Sequence, residues 1–272
     1  MEINNLNKSL GNWVDELLSK GRTAFSLHQA KTEFSGQSDI SIKRSLSRLS
    51  LKGKVISIFK GYYLIIPPQY ASFGVLPPSM YIDGLMSFLE RSYYVGLLNA
   101  AAFYGAAHQR PQEFFVFTSL PTLRPTQKKD LKVNFVSKTT FPDKLLESRK
   151  TESGYLKISS PELTACDLIQ FEKRIGGLNR ASTVINELAE EMNPDCFNME
   201  LFSSVPVFTI QRLGYILENV VDKQALADRL YAMAMQIGLK FYRIPIKKTG
   251  SRVGFPFNDR WKLIINTEIE ID

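Results

Sequence analysis

The apolar positions of the first 66 residues predict three helices followed by two strands. Five apolar residues at the spacing of a single helical face indicate the first helix, namely Leu10, Trp13, Val14, Leu17 and Leu18. A second, short helix is predicted to begin at Ser26, which forms the pattern of a capping box with Gln29. The third is predicted between Ser38 and Gly53, and its buried stripe is Ile42, Leu46 and Leu49.

Two runs rich in β-branched and aromatic residues follow the third helix, at 55–59 and 62–66. They are joined by Lys60-Gly61, and glycine readily adopts the conformation of a tight turn, so a β-hairpin is predicted. Three helices and a hairpin in this order are typical of a winged helix-turn-helix, whose third helix enters the major groove of DNA. Such a domain is therefore expected at residues 1–68.

The remaining residues mix helical and strand-like patterns, so the whole chain is predicted to be α+β. Proline pairs at 67–68 and 77–78 indicate a stiff linker, assigned to residues 69–80. A larger mixed α+β domain is expected over residues 81–272, in the form of a sheet with helices on one side. Helices are predicted at 82–89, 95–104, from 161 onward, 181–189, 207–217 and 226–237, and strands at 113–118, 131–136, 241–244 and 262–271.

The distribution of charge adds a functional expectation. The chain has a formal net charge of +7, and residues 1–66 hold ten Lys or Arg against five Asp or Glu. Residues 41–66 contain six cations and no acid, which favours a polyanion as the partner. The residues predicted to face DNA are Ser41, Lys43, Arg44, Ser47 and Arg48 on the third helix, with Lys54 and Lys60 as phosphate contacts of the hairpin. Use of the same fold for protein interaction is the alternative.

Sequence motifs for catalysis or metal binding are absent. The chain has no G-x-x-x-x-G-K-[ST], G-x-G-x-x-G or G-x-S-x-G. Pro142-Asp143 is similar to the start of a PD-(D/E)xK nuclease motif, but the nearest downstream segment, Glu147-Ser148-Arg149, lacks the lysine. Histidine and cysteine residues are scattered without ligand spacing, at His28, His108, Cys166 and Cys196. We therefore expect no metal, no cofactor and no enzymatic activity.

Localisation can also be predicted from the sequence. No run approaches the roughly 18 apolar residues of a membrane span. The first residues, Met1-Glu2-Ile3-Asn4-Asn5, lack the order of a signal peptide. Two unpaired cysteines are typical of a reducing compartment, so a cytoplasmic protein is expected.

One long segment resembles a known family. Residues 93–112, YYVGLLNAAAFYGAAHQRPQ, are similar to the hallmark stretch of AbiEi-type antitoxins, and 160–168 and 176–178 support the likeness. The resemblance implies a bacterial repressor that binds inverted repeats in its own promoter and is the antitoxin of a type IV toxin–antitoxin system, linked to abortive phage infection. It also implies a partner toxin of the AbiEii nucleotidyltransferase-like type, countered without a stable complex. The polar loop His108, Gln109 and Arg110 becomes a candidate surface site of the C-terminal domain.

Two other functions stay open at this point. A nucleic-acid-processing enzyme could use the winged helix to deliver a catalytic body, and it would show Mg²⁺-dependent cleavage or nucleotide transfer. An interaction scaffold would bind protein through the same module and show no salt-sensitive preference for any DNA. The acid-free face of the third helix favours the DNA-binding repressor.

Overall fold

A computed structural model describes residues 9–107, 111–249 and 251–271. The chain is α+β, as predicted. Its N-terminal part contains three helices and three strands in the order α1 (Leu10–Ser19), β1 (Ala24–Ser26), α2 (Leu27–Glu33), α3 (Asp39–Leu51), β2 (Val55–Phe59) and β3 (Tyr62–Ile65).

The helix starts in this part are formed by the residues expected from the sequence. The Ser26 hydroxyl accepts from the Gln29 N–H at 3.1 Å, while the Gln29 side chain accepts from the Ser26 N–H at 2.8 Å. The Ser38 hydroxyl caps α3 by accepting from the Ser41 N–H at 3.2 Å. Gly53 after α3 and Gly61 in the hairpin turn have φ values of +70° and +80°, where other residues would be strained.

Strand β1 is a feature that hydrophobic periodicity did not predict. Its three residues pair antiparallel with β3, which gives a small sheet in the order β1-β3-β2. The Leu27 N–H donates to the Gly61 carbonyl at 2.8 Å, so the hairpin turn is fixed to the start of α2.

The body is built on a six-stranded sheet, called the central sheet below, in the order β6-β7-β5-β4-β9-β8. Strands β5 and β7 are parallel, as are β4 and β9, and the other neighbours are antiparallel. The elements between residues 82 and 159 are α4 (Ile82–Phe88), β4 (Tyr93–Val95), α5 (Leu97–Phe103), β5 (Glu113–Thr118), β6 (Thr126–Lys128), β7 (Leu131–Ser137), β8 (Leu146–Thr151) and β9 (Gly154–Ser159).

Helices and a smaller sheet complete the body. They are α6 (Pro161–Gln170), α7 (Leu178–Leu188), α8 (Met199–Ser204), α9 (Val207–Asn219), α10 (Gln224–Gln236), β10 (Ile244–Pro245), β11 (Phe257–Asn258) and β12 (Leu263–Ile264). The last three strands pair in the order β10-β12-β11. No helix of the described residues is long and apolar enough to cross a membrane.

The central sheet is buried on both faces, which corrects the expectation of helices on one side. Tyr94 and Phe117 contribute to a core with α6, α7, α9 and α10. Val95 and Val116 face the other way, into a second core with α4 and the small N-terminal sheet. Strands covered on two faces have nearly continuous apolar runs, and the sequence of β5 fits that rule.

The predicted hairpin is packed against the body. In β3, Tyr62 and Leu64 belong to the core shared with the central sheet, whereas Ile65 faces α1, α2 and α3. The Tyr62 and Phe88 rings lie 5.2 Å apart, which places α4 beside the hairpin turn. An apolar contact of this kind restricts movement between the two parts.

Several secondary-structure predictions were wrong or incomplete, and α8, β6 and β11 were not predicted. Residues 95–104 divide between β4 and α5, with Gly96 at the break, where an added Cβ would lie 2.4 Å from the Phe117 ring. Strands β8 and β9 were missed, since β8 is a polar edge strand without an apolar stripe. The C-terminal strands predicted at 241–244 and 262–271 shrink to the two residues each of β10 and β12.

The C-terminal segment is held to α9 through Trp261. This indole is fully buried and lies directly on Gly214, where an ideal Cβ would come within 2.1 Å of the ring. Its Nε1 donates to Glu218, and Arg260 forms ion pairs with Glu218 at 2.9 Å and with Asp228 at 2.6 Å. A glycine is therefore required at position 214 for the segment to approach the helix.

We expect Gly214→Ala to destabilise the protein by about 1–3 kcal/mol, because the methyl group overpacks the contact with Trp261. This loss runs against the gain of about 1 kcal/mol that alanine normally gives inside a helix. Urea unfolding of the full chain measures the difference. Gly36→Ala is the matched control, since no atom lies within 4 Å of its added Cβ, and an equal loss in both variants would contradict the assignment.

Candidate nucleic-acid interface

The outer face of α3 is the strongest candidate for a binding surface in the N-terminal part. Ile42, Leu46 and Leu49 are buried against α1 and the small sheet. Because successive helical residues rotate by about 100°, the opposite side of α3 carries the side chains predicted to face DNA. All five are exposed: Ser41, Lys43, Arg44, Ser47 and Arg48.

The cations on this face are not neutralised by the protein itself. Within the described residues, Lys43, Arg44 and Arg48 form no ion pair. Asp39, the acid in the first turn of α3, is already bound by Lys31. The face can therefore offer its charge to an external anion without first breaking an internal contact.

The two cations assigned to the hairpin have different environments. Lys54 precedes β2 and forms an ion pair with Asp15 of α1 at 2.7 Å, with both side chains about half exposed. Lys60 is exposed in the turn at the other end of the hairpin. That turn lies beside α4, because an ideal Cβ on Gly61 would be 3.7 Å from Phe88.

Two apolar residues on the same outer face were missed by the sequence reasoning. Ile40 is 64% exposed and Leu51 is 87% exposed. Ile40 precedes Lys43 by three residues and Leu51 follows Ser47 by four, so all lie on one stripe of α3. Their spacing is visible in the sequence, but hydrophobic periodicity identifies the apolar residues of the buried stripe and not those on the outer face.

The body contains a buried charged cluster between β4, α6 and the end of β7. Lys138 Nζ lies 3.1 Å from Asp167 Oδ1, and the Tyr94 hydroxyl donates to Asp167 Oδ2 at 2.8 Å. Lys138 also lies over the rings of Tyr94 and Phe117. Burial raises the pKa of the Asp167 carboxyl, whereas the charge of Lys138 lowers it. The cluster joins three elements of the core.

The segment 160–168 has structural contacts throughout. The Ser160 hydroxyl donates to Glu162 Oε2 at 2.7 Å, and Glu162 Oε1 accepts from the Asn193 N–H at 2.6 Å. Burial raises the pKa of Glu162, and it also raises that of the fully buried Cys166 thiol. A buried, protonated thiol is a poor nucleophile. The contact of Glu162 with the Asn193 N–H attaches the start of α6 to the loop that follows α7.

The nuclease-like residues of the sequence lie just before β8 and along it. Arg149 forms an ion pair with Glu147 at 2.7 Å on β8. No group of three or more His, Cys, Asp or Glu in the described residues could hold a metal ion. His108, Gln109 and Arg110 lie outside the described residues.

Comparison with known proteins agrees with the resemblance found in the sequence. Residues 94–219 match the family model described as the AbiEi antitoxin C-terminal domain. No curated protein matches the chain significantly.

Two solved structures are similar to the chain. The RV2827C protein from Mycobacterium tuberculosis has a TM-score of 0.66 and 14% identity, over 93% of this chain and 90% of that chain. At this identity the likeness concerns the fold alone. An antigenic nucleotidyltransferase-like protein from Paracoccidioides brasiliensis has a TM-score of 0.39 and 9% identity, over 56% of this chain and 90% of that chain, and this likeness carries no argument.

We expect Lys138→Met to destabilise the protein by about 3–5 kcal/mol, because Asp167 would then be buried without its cation. Urea unfolding measures the loss, and the double variant Lys138→Met/Asp167→Asn should recover part of it. The control is Lys132→Met, whose half-exposed pair with Glu113 should contribute less than about 1 kcal/mol. Equal losses in the two single variants would contradict a special role for the buried pair.

Proposed function

We propose that the chain is a DNA-binding repressor and antitoxin of a type IV toxin–antitoxin system, and the match of residues 94–219 to the AbiEi antitoxin C-terminal domain model supports this proposal. In this proposal residues 1–68 are a winged helix-turn-helix, 69–80 are the linker and 81–272 are the antitoxin domain.

The unpaired cations of α3 are the observation that carries the proposal. Lys43, Arg44 and Arg48 are exposed, and the described residues supply no counter-ion to them. With α3 in the major groove, long cations reach phosphates and guanine edges, while Ser41 and Ser47 bond to phosphates or bases. Lys60 adds a phosphate contact from the hairpin. Lys54 adds another only if it gives up its ion pair with Asp15.

The proposed target is a pair of inverted repeats in the promoter of the chain's own operon. A single small module neutralises only about four phosphates, which corresponds to a slope of about −3.6 in a plot of log affinity against log salt. Binding of two copies to repeated half-sites would raise the affinity above that of a single module. Because the hairpin packs on the central sheet, each copy would present α3 in a fixed orientation to its body.

The body is proposed to counter a toxin of the AbiEii nucleotidyltransferase-like type without forming a stable complex. In this proposal the body has no catalytic activity. The protein is proposed to act in the cytoplasm. The contacts of Asp167 and Glu162 support a non-enzymatic body, since both carboxylates are buried and occupied by structural hydrogen bonds.

An interaction scaffold is the second candidate, and the exposed Ile40 and Leu51 are the observation that favours it. Apolar side chains on an outer helical face are common in protein interfaces. A scaffold would keep its partner at high salt, whereas a DNA contact built on Lys43 and Arg44 weakens steeply as salt increases.

We expect the double variant Lys43→Ala/Arg44→Ala to lose at least tenfold in affinity for the DNA upstream of its own gene. Both side chains lie outside the buried stripe of α3, so the fold should be retained. Fluorescence anisotropy at two salt concentrations, beside a scrambled duplex, measures both the affinity and the salt slope.

Lys150→Ala/Lys173→Ala is the matched control, because it removes the same charge from exposed positions of the body. It should bind the upstream DNA like the wild type. An unchanged affinity in the α3 variant, or equal binding of both duplexes by the wild type, would remove the basis of the proposed function.

We also expect Ile40 to contact a thymine methyl group, since apolar side chains in the first turn of a recognition helix can reach that group. Replacing the contacted thymine by deoxyuridine should then weaken binding several-fold in the wild type and have no further effect in Ile40→Ala. Additive losses from the two changes would show that the contact does not exist.

A further inference from the structure

The C-terminal segment contains a second concentration of positive charge. Residues 239–267 hold seven Lys or Arg and a single acid, Asp259. The excess is confined to this window, since Glu268, Glu270 and Asp272 follow it directly. The proposed function of the chain makes no use of it.

Five of the seven cations are available to an external partner. Arg260 is engaged by Glu218 and Asp228, and Lys262 lies 3.5 Å from Asp259. The others are exposed, and within the described ranges none of them forms an ion pair: Lys240, Arg243, Lys247, Lys248 and Arg252.

Aromatic rings, instead of carboxylates, hold two of these cations. Lys248 Nζ lies 4.5 Å from the centre of the Phe208 ring, and the Arg243 guanidinium lies 4.7 Å from that of Phe257. A ring orients a cation without cancelling its charge. Both side chains therefore stay attractive to phosphate.

A buried arginine lies beneath this surface. Arg212 is 2% exposed, and its Nη2 donates to the Pro245 carbonyl at 2.9 Å. Its Nε and Nη1 have no hydrogen-bond partner among the described residues, and its guanidinium lies 5.4 Å from the same Phe208 ring. Glu172 acts on Arg212 through its charge but forms no hydrogen bond with it. The interior thus adds to the positive potential around Lys248.

Exposed aromatic side chains accompany the cations. The Tyr242 side chain is 57% exposed and Phe255 is 43% exposed. Proteins that bind single-stranded nucleic acid combine cations for the phosphates with rings on which bases stack. The strands of this segment have two residues each, and its described residues form no helix that could enter a major groove.

This surface is separate from α3. Trp261 and Leu263 attach the segment to α9, in the core on one face of the central sheet, whereas the hairpin packs on the opposite face. The central sheet and the helices on it therefore lie between the C-terminal segment and the N-terminal part. We propose that residues 240–255, with Arg212 beneath them, bind single-stranded nucleic acid through its phosphates and bases.

The test is fluorescence anisotropy of the full chain with labelled oligothymidylate and oligouridylate of about 12 nucleotides. In Lys247→Ala/Lys248→Ala we expect about tenfold weaker binding and a salt slope shallower by about 1.4, because two phosphate contacts are lost. The control Lys150→Ala/Lys173→Ala should stay within about twofold of the wild type. The two oligonucleotides distinguish RNA from DNA as the preferred strand.

A second pair of variants tests the stacking contact. Tyr242→Ala should weaken binding about fivefold or more, whereas Tyr242→Phe, which keeps the ring, should not. Absence of binding by the wild type, or wild-type affinity in Lys247→Ala/Lys248→Ala, would overturn the proposal. If poly-glutamate competes as strongly as the unlabelled oligonucleotide, the surface binds polyanions in general, and the assignment of nucleic acid as its ligand is overturned.

The inference is independent of the proposed repressor function. Lys43→Ala/Arg44→Ala should keep its affinity for the single strands, and Lys247→Ala/Lys248→Ala should keep its affinity for the upstream duplex. Loss of single-strand binding in the α3 variant would assign that activity to α3 and overturn the single-strand proposal. A failure of duplex binding in the wild type would contradict only the repressor function.

Discussion

The inner strands β4, β5 and β7 of the central sheet are covered on both faces, and the rest of the molecule is arranged around that constraint. Helices α6, α7 and α9 cover one face, and α4 with the small N-terminal sheet covers the other. Burial of apolar area on this scale dominates the stability of a domain. The N-terminal part is therefore part of the packing of the body, and its hairpin cannot move freely as an independent arm.

Charges follow a clear division between the interior and the surface. In the interior, Asp167 and Glu162 are satisfied by neighbouring donors, because an unpaired buried charge is costly. On the outer face of α3 and at five positions of the C-terminal segment, cations instead stay exposed and form no ion pair within the described residues. The same chain thus uses acids to fix its core and leaves bases available for partners.

The two basic surfaces lie on different sides of the central sheet. The N-terminal one is built on a regular helix, whose spacing suits the edge of a duplex. The C-terminal one is built on short strands and loops around Phe208 and Phe257, where cations and rings alternate. The proposed contacts with duplex and with single strand therefore use different residues.

The sequence by itself determined most of the helices, the caps of α2 and α3 and the charged face of α3, because these depend on neighbours within a few residues. The capping box at Ser26 and the stripe of Ile42, Leu46 and Leu49 are examples. Tertiary structure decided what depends on distant residues: the pairing of β1 with β3, the polar edge strand β8, and the contact of Trp261 with Gly214. It also decided that Lys54 is paired with Asp15, and that Lys248 and Arg212 share one ring. Periodicity records which side of an element is apolar, but it does not record which element covers that side.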